Sequence, residues 1–210
     1  SDLDRMDNVG YARVYTIFDM HRSGAGLTWD FFHGAETRPE LINVIEHRDL
    51  WKFKEPPTEY DLFVRQVQAA LFSLPYDYDI WHHYLQFDRK EDLYVLRVEG
   101  EAIERKHHKD VVELVAKFCR RLYIGGHYVP AANLPYTMTS DAGALMCKLN
   151  PEVPFAACYW DTPEGRVFSL RTVDGRCDVS KIAAEYGGGG HAAAAGFRVP
   201  IHSAAQFEAT

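Results

Sequence analysis

The chain reads as an α/β protein, α+β in the span present, with a mainly helical first part, a long helix, and a small mixed α/β second part. Three observations predict this. Apolar residues recur three or four apart up to about residue 122, and beyond Pro130 the pattern changes to aromatic and β-branched runs separated by turn residues. The composition, 210 residues with 47% hydrophobic and 25% charged, is that of an ordinary globular chain able to bury one large or two small cores.

Taken in order, Ser23 suits the N-cap of a helix running through Phe32, and Pro39 suits the first turn of a second running to about His47. Thr58 with Asp61 approximates a capping box ahead of Val67, Ala70 and Leu71. From about Leu85 to Leu122 the series Ile103, His107, Val111, Leu114, Phe118, Leu122 places an apolar stripe on one face of a long helix, which Gly100 interrupts or kinks and Gly125-Gly126 ends. Val153–Trp160 and Arg166–Thr172 then read as a hairpin around Thr162-Pro163-Glu164-Gly165. Arg171 projects on the same face as Ser169 and Val167. Asp178 or Ser180 caps a helix through Glu185, Gly187 stops it, and Phe197 to Val199 forms a further strand.

Between that helix and strand lies Tyr186-Gly187-Gly188-Gly189-Gly190-His191, followed by Ala192 to Ala195. Successive glycines let backbone N–H groups converge on an anion, a following helix start adds its positive end, and His191 can donate to a phosphate oxygen. A plain flexible turn before a packed alanine segment is the competing reading.

Net charge of -7 and a pI near 5.8 argue against a long nucleic-acid partner, which requires a basic stripe, but leave a local pocket for a small anion open. Cys119, Cys147, Cys158 and Cys177 lack zinc-finger spacing and suggest a reducing, soluble compartment, cytoplasm or an organelle matrix such as that of mitochondria. No apolar run is of membrane-spanning length. His82-His83 and His107-His108 are neighbours that diverge by about 100° on a helix, so they read as solvated or partly packed. Asp77, Asp79 and Asp88 read as a solvated face, and Tyr76 to Trp81 as packing rather than a base-stacking surface.

Phe168-Ser169-Leu170-Arg171-Thr172, Asp178 to Ala183, the glycine run with His191, and Ala195-Gly196-Phe197 resemble the C-terminal domain associated with DHH-family phosphoesterases. Phe18 to Ala25 (Met20 among them), Trp29, Phe31-Phe32 and Ile45-Glu46-His47-Arg48-Asp49-Leu50-Trp51 resemble the later half of the catalytic domain. Val129-Pro130, Asn133, Pro135 and Ser140-Asp141-Ala142-Gly143 resemble the entry into the second domain. The resemblance covers most of residues 15 to 199 and implies a catalytic-domain remnant over residues 1–84, a linker helix over 85–126 and a phosphate- or nucleotide-binding domain over 127–210.

In that family, which includes RecJ-type exonucleases, nanoRNases and cyclic-dinucleotide phosphodiesterases, the glycine loop, its histidine and the strand arginine hold the substrate phosphate. The resemblance carries this role to Arg171, Gly188, Gly189, Gly190 and His191, with Ser169 as a weaker member. The family's Asp-x-Asp, further Asp and Asp-His-His ligands to two manganese ions would lie upstream of Ser1. A remaining aspartate ligand corresponds to His47, whose neutral imidazole cannot bridge two cations as a carboxylate does. His47 and Asp49 are the weak metal candidates that remain, and no cofactor is expected for this span alone. Three functions follow: a non-catalytic accessory or structural subunit with other protein subunits as partners, part of a manganese-dependent phosphoesterase cleaving short oligonucleotides or cyclic dinucleotides, or a nucleotide-binding sensor.

Overall fold

The protein is described here from a computed structural model, in which residues 16–19, 21–87, 89–173 and 175–208 are described. Met20 and Asp88 lie outside the described residues. The chain forms two compact units, residues 1–104 and 105–210, which divide within one long helix.

Unit 1 is helical. α1 (Gly24–His33) starts where the Ser23 hydroxyl accepts from the Gly26 amide at 3.0 Å, as the N-cap reading expects. α2 (Glu40–Asp49) follows Pro39 at its N-cap position, and α3 (Glu59–Ser73) opens with both bonds of the Thr58–Asp61 capping box. α4 (Tyr78–Leu85) is capped by Asp77, whose carboxylate accepts from the Asp79 and Ile80 amides, so this acid is a cap rather than part of a purely solvated face. Leu41, Val44, Phe63, Val64, Val67, Leu71, Leu93 and Leu96 make the core. The bidentate Arg38–Asp30 pair, at 2.8 and 2.5 Å, ties α1 to the segment entering α2. Tyr76 and Tyr78 do not pack into this core as expected; they are 82% and 78% exposed and stack on Trp81 and His82.

The long helix α5 (Tyr94–Phe118) begins nine residues later than the apolar series predicts, because a 3-10 turn (Lys90–Leu93) separates it from α4. It ends before Gly125-Gly126, which instead turn a hairpin, and Leu122 belongs to a strand. Its stripe is only partly buried: Val111 and Val115 enter a core, whereas Ile103 and Phe118 are exposed. Gly100 does not break the helix, which runs on through it. It is where α5 passes against α3, and a Cβ there would lie 1.7 Å from the Gln66 carbonyl oxygen.

Unit 2 is a six-stranded mixed sheet, β1 (Arg120–Ile124), β2 (His127–Asn133), β3 (Ala156–Thr162), β4 (Gly165–Arg171), β5 (Gly189–His191) and β6 (Ala194–Val199), in the order β1-β2-β3-β4-β6-β5. β2 and β3 are parallel and joined through α6 (Thr139–Leu149); the other neighbours are antiparallel. Alternation sorts the strands onto two cores. Ala131, Ala157, Tyr159, Phe168, Leu170 and Phe197 pack with Val179, Ile182 and Ala183 of α7 (Val179–Glu185), while Ala132, Ala156 and Cys158 pack with Ala142, Met146 and Cys147 of α6.

Replacing Gly100 by alanine sets about 1 kcal/mol of gained helix propensity against a backbone clash that the helix pair can relieve only by moving apart. The clash dominates: Gly100→Ala is expected to lower stability by about 1–3 kcal/mol in urea denaturation, and an equal or more stable variant would show the helices are not in backbone contact.

Candidate functional site

Arg171 is the last residue of β4, opposite Ala156 on β3 and Ala194 on β6. Its neighbour but one, Ser169, shares its face, as the sequence implies, and the two side chains bond directly: Nη1 donates to Ser169 Oγ at 2.9 Å and to the Leu170 carbonyl at 2.8 Å. Nη2 donates to Ser140 Oγ on α6 at 3.1 Å. The stem of Arg171 rests on Gly143, where a Cβ would meet its Cγ at 2.6 Å and its Cβ at 2.8 Å. A glycine at this place in α6 therefore makes the space that Arg171 occupies.

Burial pulls the guanidinium below its usual pKa, yet arginine stays charged under any ordinary condition. Among the described residues no carboxylate pairs with it. The Cys158 thiol, on the strand beside Ser169, is itself pushed up to about 12 by burial and is neutral. Of five N–H donors, the three bonds named leave two uncommitted. A half-buried cation answered only by hydroxyls and a carbonyl keeps donors that the oxygens of an anion can accept.

The glycine run lies two strands away on the same register. His191 pairs with Ala194, which pairs with Arg171, and Gly189 pairs with Gly196, which pairs with Ser169. This brings His191 and Arg171 onto one row of the sheet, with about 10 Å between their backbones. His191 and both glycines of β5 are exposed at the sheet edge. The run is followed by strand β6 rather than a helix, so the positive helix end expected after it is not there, and the helix end that does meet the run is the C-terminus of the helix over Val179–Glu185.

Its glycines have separate causes. Gly187, at φ 76°, is the left-handed residue after α7, and the amides of Gly187 and Gly188 bond back to Ala184 and Ala183 at 3.0 and 2.9 Å. These two amides are committed to the helix end, and Gly189 and Gly190 lie in strand β5, paired with Gly196 and Ala195 of β6, so the run does not form the convergent nest of amides expected of it. Gly188 is needed for a different reason: a Cβ there would sit 2.1 Å from the Gly196 carbonyl oxygen and 2.6 Å from the Phe197 Cβ.

Ser140 was not among the residues selected from sequence. It lies 31 positions from Arg171, and a serine near a helix start carries no spacing signal for such a contact. The Ser140-Asp141-Ala142-Gly143 segment was the available hint, as part of the resemblance.

The metal candidates of unit 1 do not converge. His47 Nε2 meets Asp61 Oδ1 at 2.7 Å, and the other oxygen of Asp61 accepts from Thr58 N at 2.7 Å, Thr58 Oγ1 at 2.6 Å and Lys54 N at 3.3 Å. His47 is thereby an extension of the α3 capping box. Burial alone would raise the Asp61 carboxyl, but the Thr58, His47 and Lys54 hydrogen bonds outweigh it and hold the group well below the usual carboxylate range. Asp49 sits exposed near the end of α2, its carboxyl raised first by partial desolvation and further by Glu46, against a lowering by Arg48. The helix closes on Trp51 at φ 48°, with Trp51 N bonded to Arg48 O and Lys52 N to His47 O, each at 2.9 Å. Among the described residues no group of three or more His, Cys, Asp or Glu is arranged to hold a metal ion. Two manganese ions do not fit what His47 and Asp49 offer, and no catalytic step is derived through them.

Because Asp61 has a depressed folded pKa, its contribution to stability is complete above its unfolded value near pH 4 and falls away as pH drops through the folded value. Asp61→Ala is expected to cost about 2 kcal/mol at pH 7, with the difference from wild type shrinking as pH falls below about 4. Thermal melts between pH 2 and pH 7 check this, and a pH-independent difference would contradict it.

No family model matches the chain. An oligoribonuclease from Bacillus subtilis, NrnB, is 33% identical over 175 residues, covering 79% of this chain and 41% of that protein. An uncharacterized protein, R106, of Acanthamoeba polyphaga mimivirus is 27% identical over 189 residues, covering 86% of this chain and 42% of its own. The chain thus spans about two fifths of the length of these curated relatives. Among solved structures, the pGpG-specific phosphodiesterase PggH from Vibrio cholerae superposes with a TM-score of 0.52 at 17% identity, covering 85% of this chain and 67% of that one, which is a likeness of fold. With the sheet, the Ser-Leu-Arg strand and the glycine hairpin in one register, the likeness to NrnB in sequence and to PggH in fold supports a DHH-family phosphoesterase.

Proposed function

We propose that unit 2 is a phosphate-binding module for short oligonucleotides or dinucleotides. The observation that carries this reading is the Arg171 guanidinium, half buried, without a carboxylate partner among the described residues and with two N–H groups uncommitted. A terminal phosphate offers acceptor oxygens in the geometry that guanidinium recognises. Ser140 and Ser169 steer the fork, α6 begins at Thr139 with no side-chain cap on its amides, and His191 with Gly189 and Gly190 supplies the exposed rim. The functions printed for NrnB and PggH, an oligoribonuclease and a pGpG phosphodiesterase, support a nucleotide ligand.

One observation favours a non-hydrolytic, accessory role for this span over hydrolysis by its own residues: His47 is held by the buried Asp61. On that reading it works with other protein subunits or with further polypeptide that supplies the manganese centre. The exposed side chains of Phe18, Phe31 and Phe32 in unit 1 support a protein contact.

Calorimetry with AMP tests the module. Wild type is expected to bind, and Arg171→Ala to weaken binding by about 1.5–3 kcal/mol, the worth of a lost charge-assisted pair. Gly143→Ala, which crowds the arginine stem, is expected to weaken it in the same direction by a smaller amount. Absence of AMP binding, or an unchanged Arg171→Ala variant, would refute the reading. Manganese-dependent cleavage of pGpG by these 210 residues alone would remove the accessory role and leave the binding module standing.

A further inference from the structure

The first turn of α6 is gripped from two sides. Ser140 accepts from Arg171 on β4, and the next residue, Asp141, accepts at Oδ2 from His107 Nε2 on α5 at 3.0 Å. Both partners of the second contact are sheltered, with side-chain exposures of 24% for His107 and 12% for Asp141. Against an ionised carboxylate, which only accepts, the bond requires the proton on Nε2.

An acidic residue in a helix's first turn ordinarily serves that helix, bonding back to the N-cap amide or complementing the dipole. Here Asp141 instead reaches another element. α6 also lacks a capping side chain, since Met138 stands at its N-cap position. The place of its first turn is thus set in large part from outside, by β4 through Ser140 and by α5 through Asp141. Two residues further along, Gly143 is the surface on which the arginine stem lies.

We propose that His107 and Asp141 are a positioning pair for the anion site. Held by His107, the first turn of α6 keeps the Ser140 hydroxyl at Arg171 Nη2, and the guanidinium keeps its uncommitted N–H groups turned toward the ligand rather than rotating to other acceptors. On this assignment His107 acts through Asp141 and Ser140. The inference rests on the phosphate-binding role of Arg171 proposed above, and extends it to a histidine that the sequence reads as solvated or partly packed.

A double-mutant cycle on the full chain, read by AMP calorimetry, tests it. His107→Ala is expected to weaken AMP roughly five- to tenfold, as for loss of one member of a sheltered hydrogen-bond network. His107→Gln, whose amide can still donate to Asp141, is expected to recover affinity to within about twofold. In a Ser140→Ala background, His107→Ala should cost little more, because both changes release the same contact. Should the alanine variant not fold, His107→Leu keeps the volume without the donor and carries the same expectations. Unchanged affinity in the His107 variants, or full additivity with Ser140→Ala, overturns the positioning role while Arg171→Ala still loses binding. If Arg171→Ala binds normally, the phosphate-binding reading itself has failed, and this inference falls with it.

Discussion

A guanidinium withdrawn from water must have its N–H groups answered, and around Arg171 much of unit 2 is arranged to answer them in part. Ser169 sits two residues back on the same strand face, Ser140 arrives from the first turn of α6, and Gly143 leaves the stem room to lie flat. What is missing is a counter-ion. Cys158 is held as a neutral thiol by burial, and the remaining donors have no acid among the described residues. The strand and the parallel crossover through α6 together keep that cation partly dry and partly unsatisfied.

Unit 1 shows the opposite economy of charge. Its most sheltered carboxylate, Asp61, is fully answered by Thr58, Lys54 and His47, and the result is a rigid helix start rather than a receptor. Position 47, where the resemblance implies an aspartate, illustrates how the residue type sets the task. An aspartate facing Asp61 at 2.7 Å would set two carboxylates against each other, whereas imidazole can donate. The histidine is thereby suited to the capping network that surrounds it, and its ring nitrogen is turned to that network instead of to a metal.

The glycine run also divides labour that a motif lumps together. Gly187 takes a left-handed backbone, Gly188 lets the chain pass over Phe197, and only Gly189 and Gly190 reach the exposed edge beside His191. Motif resemblance identifies the right segment. It does not say which amides are already bonded within the fold.

Local signals were legible wherever a few neighbouring residues suffice. Ser23, Thr58 with Asp61, Asp178, the Pro163-Glu164 turn and the Ser169/Arg171 face all follow from capping chemistry, turn chemistry and strand alternation, and each is found in place. Spacing alone makes the long helix too long, because Leu85 and Leu122 continue its period by coincidence, one ending α4 and the other lying in a strand. Gly100 looked like a break in the chain's own helix, since the Gln66 carbonyl that demands it is 34 residues away. Likewise Ser140, Asp141 and His107 meet their partners only through the crossover that sets α6 against β4 and α5. Helix starts, the hairpin and the supply of charged and hydroxyl groups are written in the order of residues, because they depend on bonds between near neighbours. Which of those groups are satisfied emerges with folding, because the partner that completes or withholds a hydrogen bond comes from a distant part of the chain.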